Sequence, residues 1–150
     1  MKEKQTAKVL SVQEIAPGIM DMWIGTNLAA QARPGQFINI YPKDRSTLLP
    51  RPISICEVRD GEKMRVVFRV AGQGTREFSG YQAGDDIHIL GTLGNGFPWK
   101  EGVGKKVFLM GGGIGVPPIL ELAKALKDQN PGSWWDTEMT ERSSERILNR

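Results

Sequence analysis

An arginine opens the stretch of sequence best equipped for ligand chemistry, Arg51-Pro52-Ile53-Ser54. A guanidinium is a planar fork of N–H donors that can hold a diphosphate bidentately. Pro52 stiffens the entry to a strand, and Ser54, the next small outward residue, lets a flat ring approach without crowding. Read for structure alone, the same four residues are a turn followed by an edge strand. A second stretch is Phe68-Arg69 followed by Gly72-Gln73-Gly74-Thr75. Glycines allow close approach of backbone to ligand, and Thr75 is placed to be the N-cap of a short helix through Phe78. The free N–H groups of a helix start favour an anion; the structural alternative is an ordinary glycine turn between strand and helix. The third is the run Gly111-Gly112-Gly113-Ile114-Gly115 with Pro118. Counted from Gly113 it fits G-x-G-x-x-P. It departs from G-x-G-x-x-G at Pro118 and lacks the lysine of a P-loop. Lying between an expected strand and an expected helix, it reads as a phosphate cradle for a nucleotide.

The elements that must hold these residues in place change character along the chain. Over the first hundred residues, short apolar stretches alternate with turns. Strands are expected at 8–12, 19–24 after Pro17-Gly18, 37–41 after Arg33-Pro34-Gly35, 53–58 before Asp60-Gly61, 63–70 and 87–90. In 63–70 the alternation is clean: Met64, Val66, Phe68 and Val70 share one face, and Lys63, Arg65 and Arg69 take the other. Short strands at this spacing predict an antiparallel barrel or sandwich. After Gly104 the rhythm shifts. Residues 106–110 read as a strand, the glycine run follows, and Pro117 and Pro118 open a helix, where proline is tolerated in the first turn. Ile119, Leu122, Ala123 and Leu126 recur at helical spacing, and Asn130-Pro131-Gly132 ends the helix. This is the first strand–loop–helix of an α/β domain, with 97–104 as the hinge. The expected organisation is a barrel over 1–98, the start of a nucleotide-binding α/β domain over 105–132, and a polar tail over 133–150, poorly ordered or weakly helical. With one strand and one helix, the α/β segment leaves Ile119, Leu122 and Leu126 short of partners.

Composition narrows the function classes. No stretch approaches the run of about 18 apolar residues that spans a bilayer. The N-terminus has charge and no apolar core of a signal peptide, so a cytoplasmic location is expected. The single cysteine, Cys56, and the single histidine, His88, are too few for a structural zinc or an iron–sulfur cluster. Cys56 reads as a small residue inside a strand. His88, between Ile87 and Ile89, reads as a solvent-side strand residue. A net charge of +3 is small and scattered. It suits a phosphate-bearing ligand or acidic partner, and the absence of a basic stripe argues against nucleic acid.

Taken in order, Pro34-Gly35-Gln36-Phe37, Arg51-Pro52-Ile53-Ser54, Gly74-Thr75, Leu93-Gly94-Asn95-Gly96-Phe97 and the glycine run resemble the ferredoxin-reductase superfamily. Within it they look most like the electron-transfer subunit of heterotetrameric bacterial dihydroorotate dehydrogenases, over residues 7 to about 130. The resemblance implies a mainly β fold: an antiparallel Greek-key FAD-binding barrel, then the first strand and helix of a truncated Rossmann-like NAD-binding domain. It implies that Arg51 holds the FAD diphosphate while Pro52, Ile53 and Ser54 line the isoalloxazine. Val67, Phe68 and Arg69 would contact the flavin from the neighbouring strand, and Gly74 and Thr75 would bind the diphosphate. Gly112, Gly113 and Gly115 would face the nicotinamide nucleotide. No acid–base residue is implied, because hydride transfer to a flavin does not demand one. Electrons would pass from NADH through FAD and a [2Fe–2S] cluster to an FMN-containing catalytic subunit, in pyrimidine biosynthesis.

Relatives of that kind continue well past residue 132, supplying the rest of the nucleotide sheet and four cluster cysteines. On this chain the cluster is therefore not expected and the NAD(H) site is incomplete. One set of codons for 134–139, read two nucleotides out of phase, yields a Gly-Tyr-Arg-Asp-like segment of the kind the resemblance implies there. The tail is accordingly expected to be out of frame; the alternative is a divergent tail, and the encoding DNA decides between them. Two other functions stay open: the reductase subunit of another ferredoxin-reductase-like system (sulfide, sulfite or ferredoxin–NADP), and a truncated flavin-binding module without turnover.

Overall fold

The computed structural model describes residues 4–44 and 49–129. Six strands form a closed antiparallel barrel in the order β1-β2-β5-β4-β3-β6: β1 (Lys4–Ala16), β2 (Ile19–Gly25), β3 (Phe37–Tyr41), β4 (Arg51–Arg59), β5 (Lys63–Arg69) and β6 (Asp86–Leu93). Helix α1 (Gln73–Ser79) lies between β5 and β6, and α2 (Pro117–Gln129) follows the barrel. The strand order is the one expected of a Greek-key barrel, since β5 returns to lie between β2 and β4. The strands are longer than the apolar runs that announce them. Ladder hydrogen bonds extend a strand through polar residues such as Lys4–Thr6, which pair with Leu90–His88.

Period-two alternation sends Met22 and Ile24, Ile38 and Ile40, Met64, Val66 and Phe68, and Ile87 and Ile89 into one core. Phe78 of α1 enters the same core and meets the Phe68 ring edge-on, centroids 6.2 Å apart. Each such side chain contributes roughly 1.5–3 kcal/mol by leaving water. The hairpin between β4 and β5 turns at Asp60 and Gly61, both at positive φ (54° and 67°), the twist that tight β-hairpins favour.

The outer face of the barrel is covered where the sequence shows polar residues. A bulge between Ile55 and Glu57 inserts Cys56 into β4, and bulged strands re-aim their side chains. Cys56 packs with Ile15 and Val67 beneath Leu120 of α2. It is a small buried strand residue, as expected, and burial pushes its thiol up to about 12. His88 keeps to the face opposite Ile87 and Ile89, with Nδ1 3.1 Å from Thr6 Oγ1.

Two expectations need correction. Residues 106–110 carry no strand pairing among the described residues, and Phe108 and Met110 are 80% and 90% exposed. A parallel strand draws every ladder bond from neighbours, and no described strand lies beside this one. The apolar face of α2, by contrast, does find partners. Leu122 and Leu126 are buried, Leu120 closes over the Cys56 cluster, and the helix lies along β4. The tail at 133–150 and the helix stop at Asn130-Pro131-Gly132 lie outside the described residues.

Candidate functional site

Arg51 is the first residue of β4 and pairs in register with Ile40 of β3. Its Nη1 donates to the carbonyl of Leu49 at 2.7 Å. The rest of the side chain lies over Gly74, near the start of α1. A Cβ added at Gly74 would sit 3.0 Å from Arg51 Nε and 3.2 Å from its Cγ. Two motifs distant in sequence thus meet in space, and the glycine is what lets them touch.

Thr75 stands beside this contact with a role different from the one its sequence position implies. The helix N-cap is Gly72, and Thr75 is the third helical residue. Its Oγ1 accepts from the N–H groups of Ala71 (2.9 Å) and Gly72 (3.1 Å) and donates to the Gly72 carbonyl (3.1 Å). Its hydroxyl therefore fixes the turn, reaching back as the N3 residue of a capping box does. With only seven residues, α1 offers little dipole, so positive charge here comes chiefly from Arg51.

Pro52 is exposed, while Ile53 and Ser54 are half-buried on the strand beside β3. The β4–β5 ladder runs from Arg59 opposite Lys63 to Ile55 opposite Val66 and ends there. Pro52, Ile53 and Ser54 thus lie on one side of the ladder's end, and Val67, Phe68 and Arg69 on the other. The Phe68 side chain belongs to the barrel core and that of Val67 to the Cys56 cluster. Only their backbone and the exposed Arg69 side chain remain to meet a ligand. The Pro34-Gly35 turn and the loop at 94–97 interlock at the same end. Phe97 N donates to Pro34 O (2.7 Å), Gln36 Nε2 donates to Gly94 O (2.9 Å), and the Phe97 ring occupies the space a Gly35 side chain would need.

Gly112, Gly113 and Gly115 form a short turn, Gly115 N donating to Gly112 O at 2.9 Å. The turn lies beside β5, the strand bearing Val67, Phe68 and Arg69. A side chain at any of the three would meet nothing within 4 Å.

Sequence reasoning missed the ionic cluster on the barrel's outer face. Arg65, 1% exposed, donates from Nε and Nη2 to the two carboxylate oxygens of Asp21 (2.8 and 2.9 Å) and from Nη1 to Glu57 (3.2 Å). Glu57 also accepts from Arg59 and from Lys124 of α2. Burial opposes its ionisation, but the hydrogen bonds from Lys124 and Arg59 outweigh it and hold its carboxyl below the usual range. Glu121 of α2 accepts from Val58 N at 3.0 Å, and burial raises its carboxyl. Strict alternation places Arg65 on the polar face, and only the closed barrel shows that Asp21, Glu57 and the Trp23 ring enclose it there. Among the described residues no group of three His, Cys, Asp or Glu side chains is placed to hold a metal ion. No helix among them is long and apolar enough to cross a membrane.

No protein-family model matches the chain. It is 43% identical over 125 residues to the electron transfer subunit of dihydroorotate dehydrogenase B (NAD(+)) of Streptococcus mutans, covering 82% of this chain and 48% of that protein. The Bacillus mycoides subunit of the same name is 41% identical over 130 residues, covering 84% and 50%. The chain thus spans about half the length of these relatives. Among solved structures, an NADH-dependent reduced ferredoxin-NADP oxidoreductase is 29% identical with a TM-score of 0.69, over 82% of this chain and 44% of that one. Plasmodium falciparum ferredoxin-NADP+ reductase, 18% identical, shares the fold with a TM-score of 0.72 over 85% and 55%. Over its barrel and the segment through α2, the chain has a ferredoxin-reductase-like fold and is homologous to about half the length of the electron transfer subunits of dihydroorotate dehydrogenase B.

Proposed function

We propose that this chain binds FAD and is the flavin-bearing part of an electron-transfer subunit, carrying electrons between NADH and the catalytic subunit of a dihydroorotate dehydrogenase. The observation that carries the reading is the Arg51 side chain lying against the bare backbone of Gly74. A guanidinium and a glycine-rich turn make a cradle whose charge and shape suit a diphosphate. Pro52, Ile53 and Ser54 on one side of the open ladder, and the Val67–Phe68 backbone with Arg69 on the other, leave an edge for the flat isoalloxazine. When bound, FAD supplies the redox chemistry, and the protein supplies grip, orientation and electrostatics. Gly112, Gly113 and Gly115, beside β5, would carry the nicotinamide nucleotide's approach to the same end of the barrel.

Homology to subunits with that name supports a dihydroorotate dehydrogenase complex as the electron acceptor, and the FMN-containing catalytic subunit of a heterotetramer is the partner we propose within it. The 29% likeness to a ferredoxin-NADP oxidoreductase supports a second reading, the reductase part of another such system. An absorbance spectrum of the purified chain, with the released cofactor identified after denaturation, tests the shared core of both. Flavin bands and released FAD are expected. A colourless protein that also refuses added FAD overturns the reading. Co-purification with a dihydroorotate-oxidising partner separates the first reading from the second.

A further inference from the structure

Glu77 stands three residues after Gly74 on α1. Its Oε1 accepts from the backbone N–H of Lys43 at 2.7 Å, and Oε2 from that of Asp44 at 3.2 Å. The Tyr81 hydroxyl donates to Oε1 as well, and the Lys43 ammonium lies 4.8 Å from the centroid of the Tyr81 ring. Lys43 and Asp44 lie two and three residues past the end of β3, and β3 is the strand that pairs with Arg51 through Ile40. One carboxylate therefore ties the helix bearing Gly74 to the strand pair bearing Arg51. At the contact itself there is no slack, the Arg51 Nε lying 3.0 Å from the position of a Gly74 Cβ. Phe78, fully buried, anchors the same helix in the core. Release of Glu77 would thus let α1 rotate about that anchor without detaching.

We propose that Glu77 is a positioning residue for the diphosphate cradle: by bracing α1 against the exit of β3, it sets the gap between Gly74 and Arg51. The inference rests on the flavin reading above. Charge-assisted hydrogen bonds to backbone N–H groups are among the stronger polar contacts. A brace of this kind favours binding by ordering the site before the ligand arrives. Glu77 touches no ligand in this account and acts only through the geometry of its neighbours.

The test titrates the chain with FAD and, separately, with ADP as a flavin-free diphosphate, for the wild type, Glu77→Ala, Arg51→Ala and the double variant. Glu77→Ala is expected to weaken both ligands about tenfold through lost pre-organisation. In the Arg51→Ala background the same change should add less than about twofold, because coupled residues give non-additive effects. Glu77→Gln keeps an acceptor for Lys43 N–H and Tyr81 but presents a donor to Asp44 N–H, so a loss of about threefold is expected. It carries the cycle if Glu77→Ala does not fold. Wild-type affinity in Glu77→Ala or Glu77→Gln, or losses that simply multiply with that of Arg51→Ala, overturn the positioning role while leaving FAD binding intact. A wild type that binds neither FAD nor ADP overturns the flavin reading itself, and the brace with it.

Discussion

A side chain at Gly74 would press on Arg51, its Cβ 3.0 Å from Nε, while one at Gly112, Gly113 or Gly115 would meet nothing within 4 Å. Both segments are glycine-rich turns leading into helices, and both read from sequence as phosphate cradles. The first is assembled within the described chain: its charge comes from β4 and its bare backbone and bracing carboxylate from α1, two elements that the barrel holds together. The second is a turn facing open space, preceded by exposed Phe108 and Met110 and followed by a helix that docks on β4. A glycine required by a contact already present differs physically from one that awaits a contact. That difference separates a site the barrel builds from one it merely approaches.

The strongest way to break the comparison is to unsettle the platform on which both turns rest. Arg65→Ala would leave Asp21 buried without its bidentate partner and Glu57 without one of its three cations, at a cost of about 3–5 kcal/mol. Urea unfolding monitored by tryptophan fluorescence should show a large fall in midpoint, and an unchanged midpoint would mean that the ionic cluster is dispensable. Gly74→Ala comes next and should divide two properties. Helix propensity keeps stability within about 1 kcal/mol of wild type, while displacement of Arg51 weakens FAD about tenfold. Equal FAD affinity would show that the close approach is incidental.

Lys124→Ala probes the helix that carries the second turn. Lys124 is 43% exposed, so its contact with Glu57 is partly screened and contributes about 1 kcal/mol or less. Glu57 has a depressed pKa in the folded state, with an ordinary value of 4.5. Its contribution is therefore present above that value and is lost as pH falls through the lower folded pKa. Without Lys124 the folded pKa moves back toward the ordinary value, so the loss of α2 protection linked to Glu57 protonation should shrink. Amide exchange of α2 followed against pH reads this directly, and a pH dependence identical to wild type would exclude the latch. The smallest expected effect belongs to Gly112→Ala. Its φ is −122° and its surroundings are open, so stability and FAD affinity should stay within about 0.5 kcal/mol. A loss comparable to that of Gly74→Ala would erase the distinction between the two turns.

Much of this arrangement was legible before any coordinates. Alternation along 63–70 identified Met64, Val66 and Phe68 as core-facing, and Pro17-Gly18 and Asp60-Gly61 marked hairpin turns, because these signals are local and steric. The strand expected at 106–110 failed for the opposite reason: strand pairing is a property of neighbours, and an apolar run cannot specify them. Thr75 was one turn out of place as a cap: the N-cap is Gly72, and the Thr75 hydroxyl reaches back to the Ala71 and Gly72 N–H groups, a placement that only the backbone path decides.

By itself the sequence determined that this protein is a run of short amphipathic strands followed by a glycine turn and an amphipathic helix, and which residue types could meet a diphosphate. Tertiary structure alone decided that Arg51 reaches Gly74, that Glu77 braces the exit of β3, and that Asp21, Glu57 and Arg65 are buried together, with Lys124 of α2 on Glu57. Side-chain periodicity is set within a few residues by backbone geometry. Contacts between residues far apart in sequence exist only once the barrel closes and the helix docks.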